Sequence, residues 1–96
     1  MDNVTELLSD LSKMPEIRSL ERRASGFLND VAEIYERDGA GVARAFLLNQ
    51  RAKRREASLL ERVIEKLESC PEVRTRRSIG RQIIKGLFEL KQGAKP

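Results

Sequence analysis

Ile17, Leu20, Ala24, Phe27, Val31 and Ile34 follow one another along the chain at steps of 3, 4, 3, 4 and 3 residues. A helix gathers such a series onto one side, and the spacing is that of a bundle seam. Leu28 and Tyr35 widen the stripe. The pattern predicts a helix from Pro15 to about Arg37, with proline suited to its first turn and Gly39 to its C-terminal cap. That apolar side has to be buried against other helices, because nothing in the chain reads as a strand. There is no alternating run and no Asn-Gly pair.

The breakers Met14-Pro15, Asp38-Gly39 and Cys70-Pro71, with the tail from Gly93, divide the chain into four segments. The first, 4–13, carries Val4, Leu7, Leu8 and Leu11 on one face, with Asn3 as cap and Glu6 as its capping-box partner. The third, 41–69, is the longest. At about 100° per residue, Val42, Ala45, Phe46, Ala52, Leu59, Leu60, Val63, Ile64 and Leu67 fall on one arc. Arg44, Arg51, Arg55, Arg62 and Lys66 fall on a separate narrow stripe, and Glu61, Glu65 and Glu68 on a third face. The polar middle, 49–55, has the composition of a loop, with Asn49, Lys53 and Glu56 interrupting the arc. One uninterrupted helix nonetheless accommodates all three groups and is the reading adopted. The fourth helix, 71–92, presents Ile79, Ile83, Leu87 and Leu90, widened by Ile84 and Phe88. Arg74, Arg81 and Lys85 stand opposite, with Arg77 close by. Gly80 and Gly86 fall inside it, where each costs about 1 kcal/mol relative to Ala. Close approach of a neighbouring helix is the expected compensation, as at Gly26 in the second helix.

A short repeat accompanies this pattern. The run from Leu11 to Arg18 (LSKMPEIR) resembles the run from Leu67 to Arg74 (LESCPEVR), and Leu7-Leu8 matches Val63-Ile64 in the same register. The expected fold is therefore all-α: one domain over 1–96, a four-helix bundle-like arrangement of two αα-hairpins, with a short flexible tail at 93–96.

Composition limits the function. Hydrophobic residues make up 40% and charged residues 35%, neither a disordered polymer nor a membrane span. The aromatics are only Phe27, Tyr35, Phe46 and Phe88, so the core is expected to be thin and a homodimer is possible. Cys70 is alone and cannot form an internal disulfide, which favours a reducing compartment. No signal-peptide pattern and no long apolar run is present, so the expected location is cytoplasmic, or nuclear in a eukaryote.

Catalysis is poorly supplied. The chain has no His, the usual general base near neutral pH, and no Cys/His cluster suited to zinc. Asp38-Gly39-Ala40-Gly41 lacks the strand and the Lys-Ser/Thr pair of a phosphate loop. Glu61/Glu65 and Glu33/Glu36 read as solvated faces. Cys70 before Pro71 reads as a small buried residue, with a reactive thiol as the alternative. No enzyme activity, cofactor or metal is expected.

Charge is the informative feature. Residues 1–40 hold 5 Lys and Arg against 9 Asp and Glu, or −4; residues 41–96 hold 14 against 6, or +8. On a continuous helix the Arg44–Lys66 stripe would run for roughly 33 Å. The candidate binding residues are Arg44, Arg51, Arg54, Arg55, Arg62, Lys66, Arg74, Arg77, Arg81 and Lys85. Their counterpart is either an acidic partner or the chain's own acidic half, through Asp10, Glu21, Asp30, Glu33 and Glu36. Among partners, nucleic acid leads. The lack of interleaved aromatics favours duplex backbone contact over single-strand stacking. The alternative is a protein-interaction module, such as an anti-activator, chaperone or assembly subunit, with Leu47 and Leu48 exposed beside the stripe. The expected function is thus a small helical regulator or adaptor.

The series Leu67, Pro71, Ser78-Ile79-Gly80, Ile84, Leu87 resembles the opening of the N-terminal helical domain of TFIIS-type transcription elongation factors. It covers about the last quarter of the chain, and no residue role is carried over from it.

Overall fold

The computed structural model describes residues 3–91; the tail at 93–96 lies outside them. The fold is all-α. Its helices are α1 Asn3–Ser12, α2 Pro15–Arg18, α3 Ser25–Asp38, α4 Ala40–Gln50, α5 Glu56–Glu68, α6 Pro71–Thr75, α7 Arg77–Lys85 and α8 Leu87–Lys91, with a 3-10 turn at Arg22–Ala24 before α3. Among the described residues, no helix is long and apolar enough to cross a membrane.

The boundaries expected at Met14-Pro15, Asp38-Gly39 and Cys70-Pro71 are present; the one expected at Gly93 lies outside the described residues. Met14 and Cys70 each precede a proline and are extended, at ψ 123° and 113°. Both are buried, and each leads into a short helix whose third residue, Ile17 or Val73, is also buried. The repeat therefore has a structural counterpart in two matching Pro-initiated corners. At the third boundary Gly39 has φ +96°, a region that favours glycine, and its N–H closes α3 on the Tyr35 carbonyl at 2.9 Å.

Three of the four expected helices are not continuous. The expected 15–37 helix is interrupted after Arg18, where the Ser19 hydroxyl donates to the Glu16 carbonyl at 3.0 Å and Glu21 is extended. Such side-chain bonding to the preceding turn competes with the helical ladder. The apolar seam survives the break: Ile17, Leu20, Ala24, Phe27 and Val31 are all buried. The expected 71–92 helix ends first at Thr75, whose hydroxyl donates to the Pro71 carbonyl at 2.9 Å, with Arg76 outside helical angles. It ends again at Gly86, which is therefore a terminator and not an interior residue. Gly26 lies in the first turn of α3 and faces open space, so close helix approach does not explain it.

The largest correction concerns 41–69. The helix stops at Gln50 and resumes at Glu56, and the Lys53 and Arg54 N–H groups both reach back to the Gln50 carbonyl at 2.9 and 2.8 Å. The two halves pack against each other. The buried face of α4 is Ala43 and Leu47, both fully buried, opposite the arc drawn from a continuous helix. Val42, placed on that arc, is half exposed, and Ala45 and Ala52 are exposed. The α5 half of the arc is correct: Leu59, Leu60, Val63, Ile64 and Leu67 are all buried. Bending the chain here lets α4 place Leu47 in the core, which a straight rod would strand in water at about 1.5–3 kcal/mol.

Tyr35 ties the layers together. α3 packs against both α7 and α4. The Tyr35 ring is fully buried, and its hydroxyl donates to Glu68 Oε2 of α5 at 2.6 Å. Burial first, and then the Glu68 carboxylate, push the phenol far above its ordinary value. On its other side the ring lies where a Cβ at Gly80 would be, 2.4 Å from Tyr35 Cε2. The core absorbs most of the apolar surface; Val42 and Leu48 are the exposed large hydrophobics among the described residues.

Candidate anion-binding surface

The turn between α4 and α5 divides the stripe expected from a single helix. Its members fall into two groups, those held by carboxylates of the chain and those left unpaired.

Arg51 spans the turn to α5. Its Nε and Nη2 donate to the two carboxylate oxygens of Glu61, both at 2.7 Å, a bidentate pair. The Arg51 hydrogen bonds hold Glu61 below its ordinary value, and the nearby charge of Arg44 adds to this. Arg62 pairs with Glu16 of α2 through Nη1 and Oε2. Glu16 is lowered first by a backbone hydrogen bond at its own position and then by Arg62. Arg81 of α7 sits between Glu33 and Glu36 of α3, 3.1 Å from each, and Lys85 reaches Glu33 at 2.8 Å. Lys85 first, and then Arg81, lower Glu33.

The acidic half thus neutralises part of the basic half, with different pairings from those expected. Glu33 and Glu36 serve α7 and not the stripe, and Glu21 pairs with nearby Arg23 at 2.6 Å. Asp10 and Asp30 form no ion pair among the described residues.

Such exposed pairs contribute little singly, because water screens them. Their effect shows under acid. A carboxyl lowered on folding stabilises the fold above its ordinary value near 4.5 and loses that stabilisation as pH falls through the folded value. The melting temperature is expected to hold steady from neutrality to about pH 5 and to fall below about pH 4.5. Replacing Glu16, Glu33 and Glu61 together by Gln should flatten the acid limb in circular-dichroism melts. An unchanged limb would assign acid lability to other groups.

Arg44, Arg54, Arg55, Lys66, Arg74 and Arg77 form no ion pair among the described residues. Two of them gather at the turn. Arg23, Ala24, Lys53, Arg54, Arg55 and Glu56 line one hollow of about 250 Å³. Arg54 lies over the Phe27 ring, 5.2 Å from its centroid, and Phe27 in turn packs on Phe46 at 6.0 Å. That stacking fixes a guanidinium at the rim of the hollow. Arg55 and Glu56 also line the neighbouring hollow, with Glu16, Ser19 and Arg62. Arg74 and Arg77 belong to the other end of the chain, where Arg77 Nη1 lies 2.5 Å from the point a Cβ at Gly39 would occupy.

Lys53 and Arg23 are the members of this cluster that helical placement misses. On a continuous helix Lys53 points away from Arg51 and Arg55; in a turn, sequence neighbours share one end of the molecule. The loop-like composition of 49–55 was the available signal. Among the described residues no group of His, Cys, Asp or Glu could hold a metal ion, and Cys70 is a buried free thiol. A comparison with protein families, curated proteins and solved structures finds no match.

Proposed function

We propose that this chain is a small non-enzymatic regulator or adaptor that grips the phosphate backbone of a nucleic-acid duplex with the basic turn between α4 and α5. The observation that carries this reading is the convergence of Lys53, Arg54, Arg55 and Arg23 on one hollow, with Lys53, Arg54 and Arg55 in no ion pair among the described residues. Cations left unpaired by their own fold are available to phosphates, and displaced counterions supply the affinity. Duplex is favoured over single strand because Phe27, the aromatic at the cluster, is 5% exposed and covered by Arg54, so no base can stack on it. Arg51, Arg62, Arg81 and Lys85, engaged by carboxylates, fall outside the proposed footprint.

Three or four phosphate contacts imply a fall in affinity of about 40- to 150-fold between 50 and 200 mM salt. Fluorescence anisotropy with a labelled duplex measures it. Replacing Lys53, Arg54 and Arg55 together by Ala should remove most of the binding and flatten the salt slope, while Arg81→Ala leaves both in place. Absence of duplex binding at low salt, or an undiminished triple variant, overturns the reading.

A further inference from the structure

Helix α4 has two apolar faces, and the core uses only one of them. Ala43 and Leu47 are fully buried. On the opposite side Gly41, Val42, Ala45 and Leu48 are exposed, Val42 by 50% and Leu48 by 56%. Val42, Ala45 and Leu48 are spaced by three residues, so they form one strip about 9 Å long. Exposed large hydrophobics set together on one helix face mark a contact surface more often than two scattered ones do.

The charge around the strip states what fits it. Within α4, Ala40–Gln50, the one ionisable side chain is the cation Arg44. Arg44 lies along one edge of the strip and forms no ion pair among the described residues. An apolar centre with a cationic edge matches an amphipathic helix whose apolar side is flanked by Asp and Glu. A second copy of the chain is a poor match. α4 set against itself brings Arg44 to Arg44; α4 itself has no carboxylate, and the Glu61 carboxylate near Arg44 is held by Arg51. A duplex is also a poor match, because it would set Val42 and Leu48 against phosphate.

We infer that the outer face of α4, centred on Val42, Ala45 and Leu48 and edged by Arg44, is the docking surface for an acidic amphipathic helix of a partner protein. It uses different side chains from the basic turn and stands or falls separately. A protein with both surfaces would join a nucleic-acid backbone to an acidic helical segment.

The test uses the full chain, isotope-labelled, titrated with a synthetic helical peptide carrying Leu at i, i+4 and i+7 with Glu on both flanks. The control peptide has Lys in place of every Glu. Amide shifts confined to α4, 40–50, are expected, with the Lys peptide weaker by about tenfold or more. Val42→Asp and Leu48→Asp should each weaken the Glu peptide by about tenfold or more. Arg44→Glu should weaken it by about three- to tenfold. The Lys53, Arg54 and Arg55 triple-Ala variant should keep peptide binding within about threefold while losing the duplex, which separates failure of one surface from failure of the other. Equal binding of the two peptides, shifts outside α4, or full binding by Leu48→Asp overturns the inference. So does binding to phosphatidylserine-rich vesicles without peptide binding, which would make the strip a membrane contact. A dimer that Leu48→Asp dissociates would make it a self-contact.

Discussion

Leu47→Asp is expected to cost about 4 kcal/mol or more, and Leu48→Asp to stay within about 0.5 kcal/mol of the parent. The two leucines are neighbours in sequence and identical in chemistry. Leu47 is fully buried, whereas Leu48 is 56% exposed. Asp at 47 would lose the transfer free energy of a leucine, leave a void and place a carboxylate with no partner in the core. A domain of this size has about 5–15 kcal/mol in total, so the variant would sit near or past its unfolding midpoint. Urea denaturation followed by circular dichroism reads both variants. Equal costs would mean that the α4–α5 turn is absent and that residues 41–69 form one rod.

The second large effect centres on Tyr35. Tyr35→Ala is expected to cost about 3–5 kcal/mol, because it empties a site shared by α3, α5 and α7. Tyr35→Phe should cost only about 1 kcal/mol, since the half-buried Glu68 carboxylate can turn to water. Gly80→Ala sharpens the argument. In an open helix this change gains about 1 kcal/mol. Here the new Cβ would lie 2.4 Å from Tyr35 Cε2 and 3.0 Å from Val73 Cγ1, so a net cost of about 1–3 kcal/mol is expected. In the Tyr35→Ala background the ring is gone and most of that cost should vanish. Additive costs in the double variant would show that the ring does not fill the space beside Gly80.

The residues themselves say why some of this was legible and some was not. Spacing reports which side chains share a face, and for α3, α5 and α7 those faces are correct. Spacing cannot report where the backbone bends, because a bend that keeps the face inward leaves the periodicity intact. Leu20 and Ala24 remain in the seam across an interruption that only the Ser19 hydroxyl hints at. In α4 the competing signal was stronger than the true one. Val42 and Ala45 aligned with the α5 arc across a turn holding neither Pro nor Gly, together with Phe46, which does pack against the core, while Ala43 and Leu47 offered just two positions. The binding residues inherited that error. Once the turn is in place Lys53 joins Arg54 and Arg55, and Arg51 and Arg62 leave for Glu61 and Glu16. Which carboxylate takes which arginine depends on how the fold brings Glu16 of α2 to Arg62 of α5 and on the packing of α3 against α7, and no local pattern encodes it.

The corner between α5 and α6 has one more consequence. Cys70 is the chain's only cysteine and is 4% exposed there. A thiol so enclosed reacts with an added reagent only in the moments when the corner opens. The wild-type chain therefore carries its own clock. The alkylation rate of a single atom times the opening of one Pro-initiated corner, without an introduced label and without disturbing α4 or the basic turn.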